Sequence, residues 1–481
     1  MASSAVKSNF YKWHRVLGLT ALVPVIFWTL SGLSHPFMSN WFRPSIAREI
    51  FKPLPQSKMK PLLTIQQVMD CNHIIALRNF GLINFKKGTF YQVLGVDSAY
   101  SYYSVTNGVL LPHGDNDYAE YLARYFTQDS TSAVQISLQQ SFDSEYQPIN
   151  HLLPVLKVSF DRPDGLDVYI ETGQSRMGTF NNNTRKAFLA LFEEFHTWQF
   201  LARLGGDTFR NVVLLIIMAI MLFALISGLT VYGLAWKKFK TIAQNRKTKG
   251  AEDKRFVHRF HRQIGLIVSF VMFTFVISGA FHLAVKLHNS GPVKADYGQI
   301  IKRDQLGISN LTLPLADSLI RKVGVVSFGG NTYYQVTDDQ KEVAYFNTIT
   351  GKEQINADKE YARFLSYYYR PKPSIEKYYG RVNVNHVKQF DNEYGFINKR
   401  LPVDRVSYPN GDNWYIETST SKLATKVTSI DRAEGLSFIF LHKYFGMTWA
   451  GKNIRDIVSM LAALGVLVVS LFGFAAFINN K

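Results

Sequence analysis

Cysteine is almost missing from this 481-residue chain: Cys71 is the only one. A single thiol excludes an intramolecular disulfide, a CxxCH haem attachment, an iron–sulfur cluster and a cysteine-based zinc site. Charge is also scarce, at 19% of residues against about 25% in soluble domains. There is no HExxH, no GxSxG and no P-loop. No GxGxxG opens a helix after a strand, so nothing reads as a nucleotide or flavin domain. Acidic residues are outnumbered, 36 to 54, which gives a net charge of +18.

Apolar sequence is plentiful. Four windows, 16–34, 212–235, 264–285 and 457–478, have the roughly 20 residues needed to cross a bilayer. The stretch 236–262, WKKFKTIAQNRKTKGAEDKRFVHRFHR, holds ten Lys/Arg and two acids. Short basic segments beside spans stay in the cytoplasm, so this loop and both termini are expected inside and the long segments outside. The charge is then largely a topology signal, and no nucleic-acid partner is expected. The first apolar core is longer than a signal peptide's, and no A-x-A-like site follows it, so it reads as a retained anchor. The domain order is 1–36 (first span), 37–205 (outside domain), 206–236 (second span) and 237–262 (basic loop). It continues with 263–286 (third span), 287–453 (second outside domain) and 454–481 (fourth span).

The two halves repeat each other. YQV at 91–93 recurs at 334–336, INHLLPVLKVSF at 149–160 as INKRLPVDRVSY at 397–408, and YIETGQS at 169–175 as YIETSTS at 415–421. The expected architecture is a membrane protein: a four-helix transmembrane bundle from a tandem duplication, carrying two α+β extracytoplasmic domains. Such parallel repeats place a pseudo-two-fold axis along the membrane normal.

Three histidines occupy matching places in both halves: His14 and His261, His35 and His282, His196 and His442. His14 and His35 lie about 32 Å apart along a helix and within about 60° of one face. Ionisable residues within spans are functional by default. Gly18 and Gly265 follow the inner histidines by one helical turn, and Gly32 and Gly279 precede the outer ones. A missing side chain beside an axial imidazole leaves room for a flat macrocycle, and Arg15 and Arg262 stand next to the inner histidines to pair its propionates. The reading is two or three b-type haems, with all six histidines as candidate iron ligands. His14 with His261 would serve the inner haem; the other four compete outside, His35 and His282 being favoured by their glycines. His258 and His288 read as interfacial, and His73, His113, His151 and His386, unmatched in the other half, as surface residues. The Tyr-rich stretch 361–381 reads equally as a ligand-stacking surface or a solvated helix and loop.

A Y-x-V strand followed by a strand entering a TNG or ITG turn resembles the PepSY module. The motifs W/F-H-R-x-x-G-L and S-G-x-x-H, with a histidine before the second span of each half, resemble the PepSY-associated transmembrane family. That resemblance implies a bacterial inner-membrane protein with periplasmic domains, similar to proteins that reduce ferric siderophores. The expected function is electron transfer outward to a ferric chelate, fed by a separate donor, a quinol or a cytoplasmic reductase. The main rival is a haem-free protein whose PepSY modules bind peptides or regulate a protease; a permease is a further reading, against which four spans with no charge in any apolar core argue. An absorption spectrum separates haem from both.

Overall fold

The structure, a computed structural model, describes residues 4–47, 62–249, 256–288, 296–307, 320–371 and 380–478. Among the described residues four helices are long and apolar enough to cross a membrane: α1 (Ser4–Pro36), α2 (Gln199–Leu234), α3 (Phe256–His288) and α4 (Lys452–Ile478). All outrun the apolar windows read from the sequence. A π-helical turn, Phe37–Trp41, extends α1 further. The basic stretch expected as a loop is instead helical over Trp236–Lys249. Lys, Arg, Gln and Ala are all good helix formers, and the segment contains no proline to stop them; its continuation, 250–255, lies outside the described residues.

The chain divides into two compact units. The first comprises Met1–Arg43, Thr184–Ser290 and Ile430–Lys481. Here α1 packs on α2 and α4, and α3 packs on α2 and α4, closing a ring of four. Ala21, Val25, Met221, Val276 and Val466 fill its centre, while Val23, Phe223, Ile267, Phe270 and Leu461 point outward and exposed. In water such a surface would be a liability; in lipid it is the requirement. The chain is therefore a membrane protein. Two glycines set the entries into the second helix of each half. Gly206 breaks α2 at φ 80°, and Gly451 turns the chain into α4 at φ 84°, a backbone region that side chains disfavour.

The second unit, Pro44–Asn183 with Gly291–Ser429, is α+β. An antiparallel sheet runs Asn79–Phe85, Gly88–Leu94, Tyr100–Ser104 and Leu110–Leu111; its counterpart is Ile320–Phe328, Asn331–Asp338 and Val343–Asn347. The first two strands of each close through two-residue turns with positive φ at both positions, Lys86-Lys87 and Gly329-Gly330, the type I′ geometry that suits twisted hairpins. Two further four-stranded sheets follow, Val134–Gln139 to Arg176–Asn181 and Asn383–Val387 to Lys422–Val427. Each is covered by one amphipathic helix, Gly114–Thr127 or Ala357–Tyr368.

Within this unit the two halves share a core in which Phe80 meets Tyr334 edge-on at 6.1 Å. They also share a buried charge network. Arg176 donates to Glu417 at 2.7 Å and to Glu171, and Arg400 donates to Glu417. All four side chains are at least nine-tenths buried. Of the Tyr-rich stretch, Tyr361 and Tyr369 are core residues, so the half of it that the structure describes packs inward; 372–379 lie outside the described residues.

Candidate functional site

The helical unit brings the matched histidines into two groups. His14 on α1 and His261 on α3 sit with ring centroids 6.0 Å apart and planes at 40°. His14 Nδ1 lies 3.0 Å from the Ala224 carbonyl of α2, and His261 Nδ1 lies 3.0 Å from the Val469 carbonyl of α4. A carbonyl only accepts, so each Nδ1 carries the proton and each Nε2 keeps its lone pair. That is the tethering that orients a metal-ligating imidazole.

Two glycines make this placement possible, and neither is among those singled out in the sequence. A Cβ on Gly228 would come within 2.7 Å of His14 Cε1, and one on Gly473 within 3.0 Å of His261 Cε1. Gly18 faces open space, and Gly265 approaches only Val469. Both still line the cavity that surrounds the pair, about 1460 Å³ in volume, more than the roughly 300–1,000 Å³ of most small-molecule sites. Among the described residues its walls carry Lys7, Arg15, Lys237, Lys238, Lys240, Arg259 and Arg262 and no carboxylate. Arg15 lies over the Phe477 ring at 4.9 Å and Arg262 over Phe239 at 4.3 Å. The pocket suits a large, flat, apolar body with anionic substituents.

The outer group is arranged differently from the glycine-based expectation. His196 and His442 form the facing pair, with ring centroids 6.3 Å apart and planes at 86°. His196 Nδ1 lies 3.1 Å from Ser31 Oγ, and His442 Nδ1 lies 3.2 Å from Ser278 Oγ. Each serine spends its single proton on a carbonyl one turn back, Phe27 or Phe275, so it accepts from the imidazole and again leaves Nε2 unprotonated. Trp28 Nε1 donates to the His196 carbonyl at 2.9 Å, fixing the segment before α2. A π-helical turn, Phe438–His442, carries the partner.

His35 and His282 flank this pair, each with a phenylalanine ring between. Phe192 stacks on His196 at 4.4 Å and meets His35 at 5.7 Å; Phe438 stacks on His442 at 4.8 Å and on His282 at 5.2 Å. His35 Nδ1 approaches Ser39 Oγ at 3.4 Å, whereas His282 Nδ1 engages Glu434 at 2.6 Å. Gly279 contacts Met218, and Gly32 faces open space; neither touches an imidazole.

The donor sets pass a simple fit test. A metal–imidazole bond of about 2.0–2.1 Å places two trans imidazole centres about 6.3 Å apart. The observed separations are 6.0 and 6.3 Å, so the spacing of each pair fits two imidazoles that share one metal ion. Ser31 and Ser278 lie about 25 Å along the helices from His14 and His261. The two pairs are thus at opposite ends of the spans.

Four membrane-spanning helices and an α+β unit define the class. The family model described as the PepSY-associated TM region matches residues 42–479, and the chain belongs to that family. No curated protein matches it.

Proposed function

We propose that this protein is a b-type haem membrane oxidoreductase that carries electrons across the bilayer to a ferric chelate, of which a ferric siderophore is the favoured example. The observation that carries the reading is the recurrence of one arrangement at both ends of the helices: a histidine pair about 6 Å apart, every Nδ1 held, every Nε2 left to ligate. His14 with His261 and His196 with His442 would hold one haem each. Bound there, haem supplies one-electron transfer, and two imidazoles saturate its iron and disfavour oxygen binding.

The protein's own groups do the rest. Gly228 and Gly473 admit the inner imidazoles; Ala224, Val469, Ser31 and Ser278 fix their tautomers and those of the outer pair. Arg15 and Arg262 offer guanidinium groups to carboxylates in the inner cavity. Near the outer end, Lys443, Lys452 and Arg455 lie within electrostatic reach of His35 against the single carboxylate of Asp456, a net positive surrounding that favours an anionic chelate. Reduction to Fe(II) loosens oxygen-rich chelators that prefer the hard ferric ion. In this reading the chain is a tandem duplication in the bacterial inner membrane, with termini inside and the α+β unit in the periplasm, and a quinol or a cytoplasmic reductase is the donor.

The test is a reduced-minus-oxidised spectrum of purified protein, with haem quantified per chain. About two low-spin haems that reoxidise on adding a ferric chelate support the proposal; colourless protein would end it.

A further inference from the structure

A second group of ligating side chains lies far in sequence from the paired histidines, in the α+β unit. His386, expected at the surface because the first half offers no match, is half-buried beside two carboxylates. Its Nδ1 is 3.2 Å from Asp404 Oδ1 and 3.6 Å from Asp358 Oδ2. One ligand atom from each residue fits within a 4.8 Å span. We propose that Asp358, His386 and Asp404 bind a divalent first-row transition-metal ion, a site separate from the haems and independent of the redox reading.

The surroundings are those of a prepared site. His386 Nε2 donates to the Lys341 carbonyl at 2.8 Å, which makes Nδ1 the ring atom turned to the carboxylates, with its proton to be released when a metal binds there. Tyr345 donates to Asp358 Oδ1 at 2.6 Å and in turn accepts from Gln335 at 2.6 Å. Such outer hydrogen bonds orient metal ligands. The Asp404 side chain is 1% exposed, and its Oδ2 has no hydrogen-bond partner, a costly state that a cation would relieve. With bonds of about 2.0–2.2 Å, adjacent ligand atoms around such an ion lie about 3.0–3.5 Å apart, close to the spacings seen. Side-chain exposures of 18% for His386 and 12% for Asp358 leave a path in.

The first half shows that the fold does not need these groups. His386 pairs across the strands with Asp404; at the matching register Leu138 pairs with Leu156. The outer hydrogen bond is kept, since Tyr102 donates to Asp115 at 2.7 Å just as Tyr345 does to Asp358. Two of the three ligands differ between the halves, an apolar pair against a His–Asp pair, and the third, Asp358, keeps its counterpart in Asp115. One imidazole with two carboxylates suits Mn(II), Fe(II) or Zn(II) better than soft Cu(I), and three protein ligands leave positions for water.

The experiment uses the full-length protein in detergent, stripped with chelator and incubated with Mn²⁺ or Zn²⁺. The parent should retain about one ion per chain and gain thermal stability on adding it. The double variant H386L/D404L, which copies the first half, should keep its fold and haem content, bind no ion and show no metal-dependent shift. Tyr345→Phe should retain the site with affinity lowered about 10–100-fold. Equal metal retention by parent and double variant, or no retention by the parent, would overturn the proposal and leave a buried His–Asp ion pair.

Discussion

His196 and His442 come from opposite halves of the chain and meet with ring planes 86° apart, whereas His14 and His261 meet at 40°. This difference in crossing angle is measurable. Near-perpendicular imidazoles raise the largest g value of a low-spin ferric haem, so electron paramagnetic resonance should show two unequal low-spin signals. His442→Ala should remove the one with the larger g. Loss of the smaller-g signal instead would reverse the assignment of the pairs.

His282→Ala is expected to keep both haem signals, because His282 stacks on Phe438 and bonds Glu434 rather than facing another imidazole. Its effect should fall on the rate of ferric-chelate reduction. A missing haem in that variant would restore His282 as a ligand.

Gly228→Ala and Gly473→Ala place a methyl 2.7 and 3.0 Å from the inner imidazoles, closer than van der Waals contact allows. Each should deplete the inner haem and spare the outer one. Gly18→Ala, which meets nothing within 4 Å, is the matched control. Equal haem loss in all three would point to general misfolding.

These contacts show what a linear reading reaches. Apolar runs and repeated histidines are local signals, visible in one strip of sequence. Ser31, Ser278, Gly228 and Gly473 matter through neighbours elsewhere in the chain, which no single strip of sequence shows. Gly18 and Gly32 drew notice by sitting one turn from a histidine on the same helix, but the close approach comes from across the bundle. His386 lacks a counterpart, and that lack is itself the signal: a polar pair where the other half is leucine.

The native Cys71, a free and exposed thiol, gives the first arm of a topology test. If the α+β unit lies outside, a membrane-impermeant maleimide should label Cys71 once the outer membrane is made permeable and the inner one is intact. Lys240→Cys in a Cys71→Ser background should resist the same reagent until the inner membrane is broken. The opposite pattern would invert the orientation.

Glu417→Gln should destabilise the α+β unit by about 3–5 kcal/mol, the cost of leaving a buried partner charge uncompensated. Burial alone would raise the Glu171 and Glu417 carboxyls, but Arg176 and Arg400 outweigh it and hold both below the usual range. Their stabilisation should therefore be complete above the unfolded value of 4.5 and decline as pH falls below it. Thermal melts of parent and variant should converge as the pH drops; a gap that widens would contradict this origin.

That same network imposes an order on biosynthesis. Arg176 and its partner Glu417 are 241 residues apart. At about 5–20 residues per second, the arginine waits roughly 10–50 s for the carboxylate that neutralises it. During that interval Glu171 is its only partner within the network, on a sheet face that the second half has yet to cover. The first half thus emerges as a holding state that the rest of the chain completes, and a chain truncated before residue 417 leaves that state as its end point.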